Sequence, residues 1–131
     1  AEDEDFLAPV WLSACLGAVV ITMRLCSARV DCDVRSRDGS SPLCIAAEFG
    51  HAGVLQVLCS ARCDLEARRI GGQTAIHIAT ISGHVEAVQV LLQHRADIDT
   101  RNEELSSPLI DAVQIGHATL ARYLCGARAN L

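Results

Sequence analysis

Gly17, Gly50, Gly83 and Gly116 recur every 33 residues, and no insertion breaks that interval along the chain. Other residues keep the same step. His51, His84 and His117 follow the last three glycines, Leu25, Leu58, Leu91 and Leu124 share one register, and so do Arg29, Arg62, Arg95 and Arg128. Pro9, Pro42 and Pro108 form a further series, with Ala75 at its missing step. A chain built this way folds as a row of like units, each burying its apolar face only against its neighbours. The boundaries fall near 3–35, 36–68, 69–101 and 102–131, four units forming one domain over 1–131.

Each unit reads as two short helices. Ser41-Pro42, Thr74-Ala75 and Ser107-Pro108 supply an N-cap followed by the first helical residue. The helix that follows is rich in small residues and stops at the glycine. After Gly50-His51 the second helix carries Val54, Leu55, Val57 and Leu58, the spacing of a core-facing stripe. Polar turns, RSRDGSS, RRIGGQT and RNEELSS, join one unit to the next. The uncharged run from Phe6 to Met23 reaches the lower edge of a membrane-spanning length. Its place in the repeat register, the acidic start AEDED, and Pro9 and Gly17 within it favour a repeat unit, so no membrane association is expected.

The pieces SPLCIAAEFGH, TAIHIATISGH and SPLIDAVQIGH, at a 33-residue period, resemble the TPLHxAAxxGH signature of the ankyrin repeat family. The resemblance spans Phe6 to Leu131 and is sharpest in the middle two units. It implies an all-α solenoid of helix-turn-helix pairs linked by β-turn fingers. It also implies a protein-binding scaffold without chemistry of its own. The first unit departs from the pattern, with Phe6 at the turn-glycine position and Ala18 in place of the histidine. In the fourth unit Leu105 stands where Gly39 and Gly72 mark the turns, so that turn is expected to be reshaped. In the family, the histidine after the glycine ties the inter-repeat loop by hydrogen bonds.

The expected partner is a protein or peptide held on the concave groove. There the resemblance places the ends of the first helices, Leu16, Glu48, Phe49, Ile81, Ser82, Gln114 and Ile115, beside the turn tips, Arg37, Asp38, Ser40, Ile70, Gln73, Glu103 and Ser106. Large apolar residues where solvent exposure is expected mark an interaction strip, with Phe49 as its aromatic anchor. A competing reading has them packed against neighbouring turns.

A second reading is electrostatic. Arg29, Arg62, Arg95 and Arg128 stand where the family has glycine, and a β-carbon in a left-handed helix end costs roughly 1 kcal/mol. With Arg35, Arg68 and Arg101 they would form ladders about 10 Å apart, suited to an acidic or phosphorylated ligand. Asp31, Asp64 and Asp97, two residues after the first series, would neutralise them instead. A third reading is an engineered or truncated repeat segment, since ARANL stops where another turn would begin.

Net charge is −5, but Glu2, Asp3, Glu4 and Asp5 supply four of the sixteen acids. The near-neutral remainder argues against a general nucleic-acid surface. Seven cysteines follow no disulfide or metal framework and read as free thiols packed as small hydrophobes in a reducing compartment. The chain is therefore expected to be intracellular, cytoplasmic or nuclear, and monomeric. Cys59 and Cys63, with Cys32 or Cys44, are the weak alternative of a zinc site. His77 shares its register with Trp11, Cys44 and Ile110, which reads as packing. With no nucleotide loop, HExxH or nucleophile motif, neither enzyme activity nor a cofactor is expected.

Overall fold

The repeat register predicts eight helices in pairs, and the described chain has them: α1 (Pro9–Leu16), α2 (Val19–Ser27), α3 (Pro42–Phe49), α4 (Ala52–Ser60), α5 (Ala75–Ser82), α6 (Val85–Gln93), α7 (Pro108–Ile115) and α8 (Ala118–Ala129). The computed structural model describes residues 9–129, with side chains through Ala127. The acidic start, Phe6, Asn130, Leu131 and the side chain of Arg128 lie outside what is described. No described helix is long and apolar enough to cross a membrane. Within the apolar N-terminal run, the backbone turns left-handed at Gly17 (φ 74°) and separates α1 from α2.

Caps start the inner helices as expected. The hydroxyls of Ser41 and Ser107 accept the N–H groups of Cys44 and Ile110, each at 3.3 Å. Thr74 does the same within a reciprocal box closed by the His77 ring. Small residues then let the helices approach closely: Ala14, Ala46, Ala47, Ala79 and Ala112 are fully buried. The inner helices α1, α3, α5 and α7 pack in sequence, and α2, α4 and α6 form the outer row. Leu55 and Leu58 on α4, and Val88 and Leu91 on α6, are fully buried between the rows. Each such side chain contributes about 1.5–3 kcal/mol relative to exposure. In the first unit Thr22 replaces that leucine, and its hydroxyl donates to Ala18 O at 2.8 Å. Ser13 lies 2.9 Å from the same hydroxyl, so the substituted core keeps its polar atoms paired.

Both kinds of helix, α8 excepted, end in the same reversal. At α4, Arg62 N–H donates to Cys59 O at 3.0 Å and Cys63 N–H to Leu58 O at 3.2 Å. Gly50 makes the equivalent reversal after α3, where an added β-carbon would fall 2.6 Å from His84 Nδ1. Arg29, Arg62 and Arg95 hold φ of 60°, 64° and 68° without glycine's freedom. Arg128 differs from the expected series, because α8 continues to Ala129 and keeps that position helical. A β-carbon favours the right-handed conformation unless following residues hold the reversal. Replacing Arg62 with glycine is expected to raise unfolding free energy by about 0.5–1 kcal/mol, the relieved strain outweighing added unfolded-state entropy. Chemical denaturation of the two proteins measures it, and an unchanged midpoint would contradict the strain.

The fourth turn corrects another expectation. It is not reshaped. Leu105 adopts φ 62° and donates its N–H to Asn102 O at 2.9 Å, just as Gly39 does to Ser36 O at 3.0 Å. A closing bond holds it there, since Asn102 N–H donates to Ser106 O at 3.1 Å.

Candidate functional site

Successive fingers are stitched to one another. Ile70 N–H donates to Asp38 O at 2.8 Å, and Glu103 N–H donates to Gly71 O at 3.0 Å. Arg35 donates to Arg68 O at 3.1 Å, and Arg68 donates to Arg101 O at 2.7 Å. Arg101 reaches Leu105 O within its own finger at 3.0 Å. This arginine series braces the fingers through backbone carbonyls, an arrangement that differs from a ladder turned wholly to a ligand. The acids are used similarly. Asp31, Asp64 and Asp97 accept the N–H two residues on, at 2.9, 3.0 and 3.0 Å respectively. The side chains of Arg29, Arg62 and Arg95 are exposed.

The histidines reach back a full unit. His51 Nε2–H donates to Cys15 O at 3.1 Å, His84 to Glu48 O at 3.0 Å and His117 to Ile81 O at 3.3 Å. Each bond fastens the end of an inner helix, and those from His51 and His84 grip the carbonyls just before the apolar Leu16 and Phe49. Phe49 lies with its ring 6.2 Å from that of His51.

Of the inner-helix residues, Leu16 is 77% exposed, Phe49 49% and Ile115 48%. Ser82 and Gln114 are also exposed, whereas Ile81 and Glu48 are half-buried. Packing against the turns therefore does not hide this strip. At the tips Arg37, Asp38, Ile70 and Glu103 are exposed and Gln73 is half-buried. Ser40 and Ser106 correct the expected rim, because both are buried. Their carbonyls close the fingers, Ser40 O accepting Ser36 N–H at 3.0 Å, which turns these residues inward. Ser40 O also accepts the Trp11 indole N–H at 3.3 Å.

The structure gathers Arg37, Asp38, Ser40, Glu48 and Phe49 around one cleft of about 390 Å³ between the first described finger and helices α1 and α3. Trp11, Cys15, Ser36, Ile45 and Arg69 complete its wall. Arg69, from the next finger, pairs with Glu48. The Ser36 hydroxyl first of all, helped by Ser40 and the Arg69 guanidinium, holds the Asp38 carboxyl below its ordinary range against the opposing effect of burial. Leu16, Ile70, Gln73, Ile81, Ser82, Glu103, Ser106, Gln114 and Ile115 lie outside this cleft. The cleft wall combines apolar Trp11, Ile45 and Phe49 with charged Arg37, Asp38, Glu48 and Arg69.

Three features were missed in sequence. Leu105, 71% exposed at a fingertip in a conformation unfavourable to leucine, joins Ile70 at 74% as an apolar tip. The signal was its place in the glycine register. Asp111 is buried where α3 and α5 carry Ile45 and Ile78, accepts the Ser106 hydroxyl at 2.6 Å, and has one oxygen without a protein partner. A larger opening, about 1000 Å³, lies between α6 and α8 on the outer side, with Leu92, Ala96, Ile98 and Tyr123 in its wall.

The cysteine expectation also needs correction. Cys32 and Cys63 are disulfide-bonded, while Cys15, Cys26, Cys44, Cys59 and Cys125 are free. Two turns from adjoining units meet here, a proximity that spacing along the chain does not reveal. Among the described residues, the one cluster with metal-ligand proximity is Cys32, Asp33 and Cys63, so Cys59 and Cys44 do not join it. Burial raises the Cys59 thiol to about 11 and makes it a poor ligand and nucleophile at neutral pH.

Comparison with known families finds the pattern again. A family model described as ankyrin repeats (3 copies) matches residues 62–131, and one described as ankyrin repeats (many copies) matches residues 25–79. No curated protein matches the chain.

Proposed function

Since the chain belongs to the ankyrin repeat family, whose members generally bind other proteins, we propose that it is a non-enzymatic module that holds a partner polypeptide across its inner helices and fingertips. The observation that carries this reading is the apolar exposure of Leu16, Phe49 and Ile115 along the inner helices, continued at the tips by Ile70 and Leu105. Water-exposed apolar side chains at recurring positions of a rigid stack recover free energy only when something covers them. Leu105 adds a second argument. Its left-handed backbone costs roughly 1 kcal/mol that a glycine would avoid, so its side chain is kept at the tip at the expense of stability. Phe49 and the cleft beside it accept the anchoring side chain, and Arg37 and Asp38 set its polar surroundings.

Affinity capture from cell lysate, followed by titration of the captured protein, tests this. The Phe49→Ala/Ile115→Ala variant is expected to bind about a hundredfold more weakly, roughly 2.7 kcal/mol, with little change in the helical signal. Leu105→Gly should bind more weakly while melting at a higher temperature. Binding by the groove should hardly respond to added salt, whereas binding by arginines would weaken steeply. Unchanged affinity in the double variant, or an empty catch from wild type, would overturn the groove assignment.

A further inference from the structure

We propose that Cys32 and Cys63 are a reversible oxidation site, a thiol–disulfide clamp that fastens the first helix pair to the second. The two residues lie in the turns that follow α2 and α4, with sulfurs bonded and Cα atoms 6.1 Å apart, inside the range a disulfide spans. Their register identifies them as a substituted packing pair. Cys32 stands in line with Leu65 and Ile98, and Cys63 with Val30 and Ala96. One junction later the same two positions hold Ala96, part of the apolar core, and Leu65, half-buried against that core. Cysteine occupies both positions at the first junction alone, where a covalent bond stands in place of two apolar side chains.

The first unit is where a clamp has most to act upon. Helix α2 buries Thr22, whereas α4 buries Val54, Leu55, Leu58 and Cys59, and α6 buries Ala87, Val88, Val90 and Leu91. Val20, Ile21 and Met23 on α2 are more than half exposed, at 62%, 56% and 51%. A pair that closes a loop across 31 residues therefore adds constraint where packing is thinnest.

Asp33 brings a carboxylate oxygen within 4.8 Å of both sulfurs, which raises a metal site as the competing use of the same atoms. Its position has another cause. Asp33 Oδ1 accepts Asp64 N–H at 3.1 Å, and Glu66 accepts Asp97 N–H at 2.9 Å at the following junction, where no cysteine is present. The acid belongs to the general stitch between units, and the cysteine pair is the added feature.

The oxidant is a small-molecule disulfide of the glutathione type. Cys32, half-buried, is the accessible sulfur, and Cys63 is buried. The Cys32 thiolate attacks one sulfur of oxidised glutathione and forms a mixed disulfide, releasing one glutathione thiolate. The Cys63 thiolate then displaces the second glutathione from Cys32. Two protein thiols lose two protons and two electrons, and one glutathione disulfide becomes two thiols, so the exchange balances. Reversal needs only an excess of the reduced thiol.

The test equilibrates the chain at graded ratios of reduced to oxidised glutathione. Peptide mapping then locates the bond, and hydrogen exchange is read in both end states. Expected are a Cys32–Cys63 linkage that appears and disappears with the ratio, and at least tenfold slower exchange of α1 and α2 amides when it is present, with α5 and α6 unchanged. The Cys32→Leu/Cys63→Ala variant copies the next junction, so it should fold and exchange alike in both conditions. No linkage at any ratio, a linkage that leaves exchange unaltered, or a redox response retained by that variant would overturn the clamp. So would uptake of Zn²⁺ by the reduced chain that shields both thiols from alkylation, which would assign the cluster to a metal.

Discussion

Leu58→Ala is expected to lower unfolding free energy by about 3–4 kcal/mol, and Leu25→Ala, in the same register, by only about 1–2 kcal/mol. Leu58 is fully buried between units, whereas Leu25 is half-buried on a helix whose outer positions are open. Truncation at Leu58 removes three carbons from a site packed on all sides, so the lost transfer energy adds to that of an unfilled cavity. At Leu25 part of the side chain already meets water, and solvent fills the gap. Urea unfolding of the three proteins at one fixed thiol–disulfide ratio measures the difference. Equal losses would mean that the first unit packs as tightly as the second, contrary to the exposure of Ile21 against buried Val54 in the same register.

His77→Ala should cost a comparable amount, about 3 kcal/mol, for a different reason. The ring is fully buried. Its Nδ1 accepts Thr74 N–H at 3.2 Å, and its Nε2–H donates to Ser106 O at 2.9 Å across to the next finger. Alanine would orphan both backbone groups and open a cavity beside them. Burial outweighs the hydrogen bond to Ser106 and the nearby Asp111 and holds the imidazole below its ordinary 6.5. In the window between 6.5 and that lower native value, the unfolded chain binds more protons than the folded one. Stability contributed by neutral His77 is therefore complete above 6.5 and is lost as pH falls toward the native value. The wild type should lose stability on acidification through this window, and His77→Ala should show a shallower slope. Thermal melts across that range test the sign. A steeper slope in the variant would place the proton elsewhere.

His77 also shows why a register can be read correctly while its reason stays hidden. Sharing a position with Trp11, Cys44 and Ile110 marks it as packing, and burial agrees. The bond from its Nε2 to Ser106 spans two units and has no local signal. Ser40 and Ser106 illustrate the reverse case. A serine in a polar turn reads as rim, yet the finger's closing hydrogen bond turns both inward.

Local information was sufficient for the period, the helix starts at Ser41, Thr74 and Ser107, and the glycine reversals. Each depends on residues within about one helical turn, where capping, steric limits on φ and apolar spacing act directly. Tertiary structure decided what depends on neighbours a unit away. Arg35 and Arg68 brace carbonyls of the next unit, Leu105 keeps a glycine's conformation, and Cys32 meets Cys63. Those contacts join residues 31 to 33 positions apart or hold a backbone against its own preference. Their energies come from the stacking of whole units, which the residue pattern within any single unit does not contain.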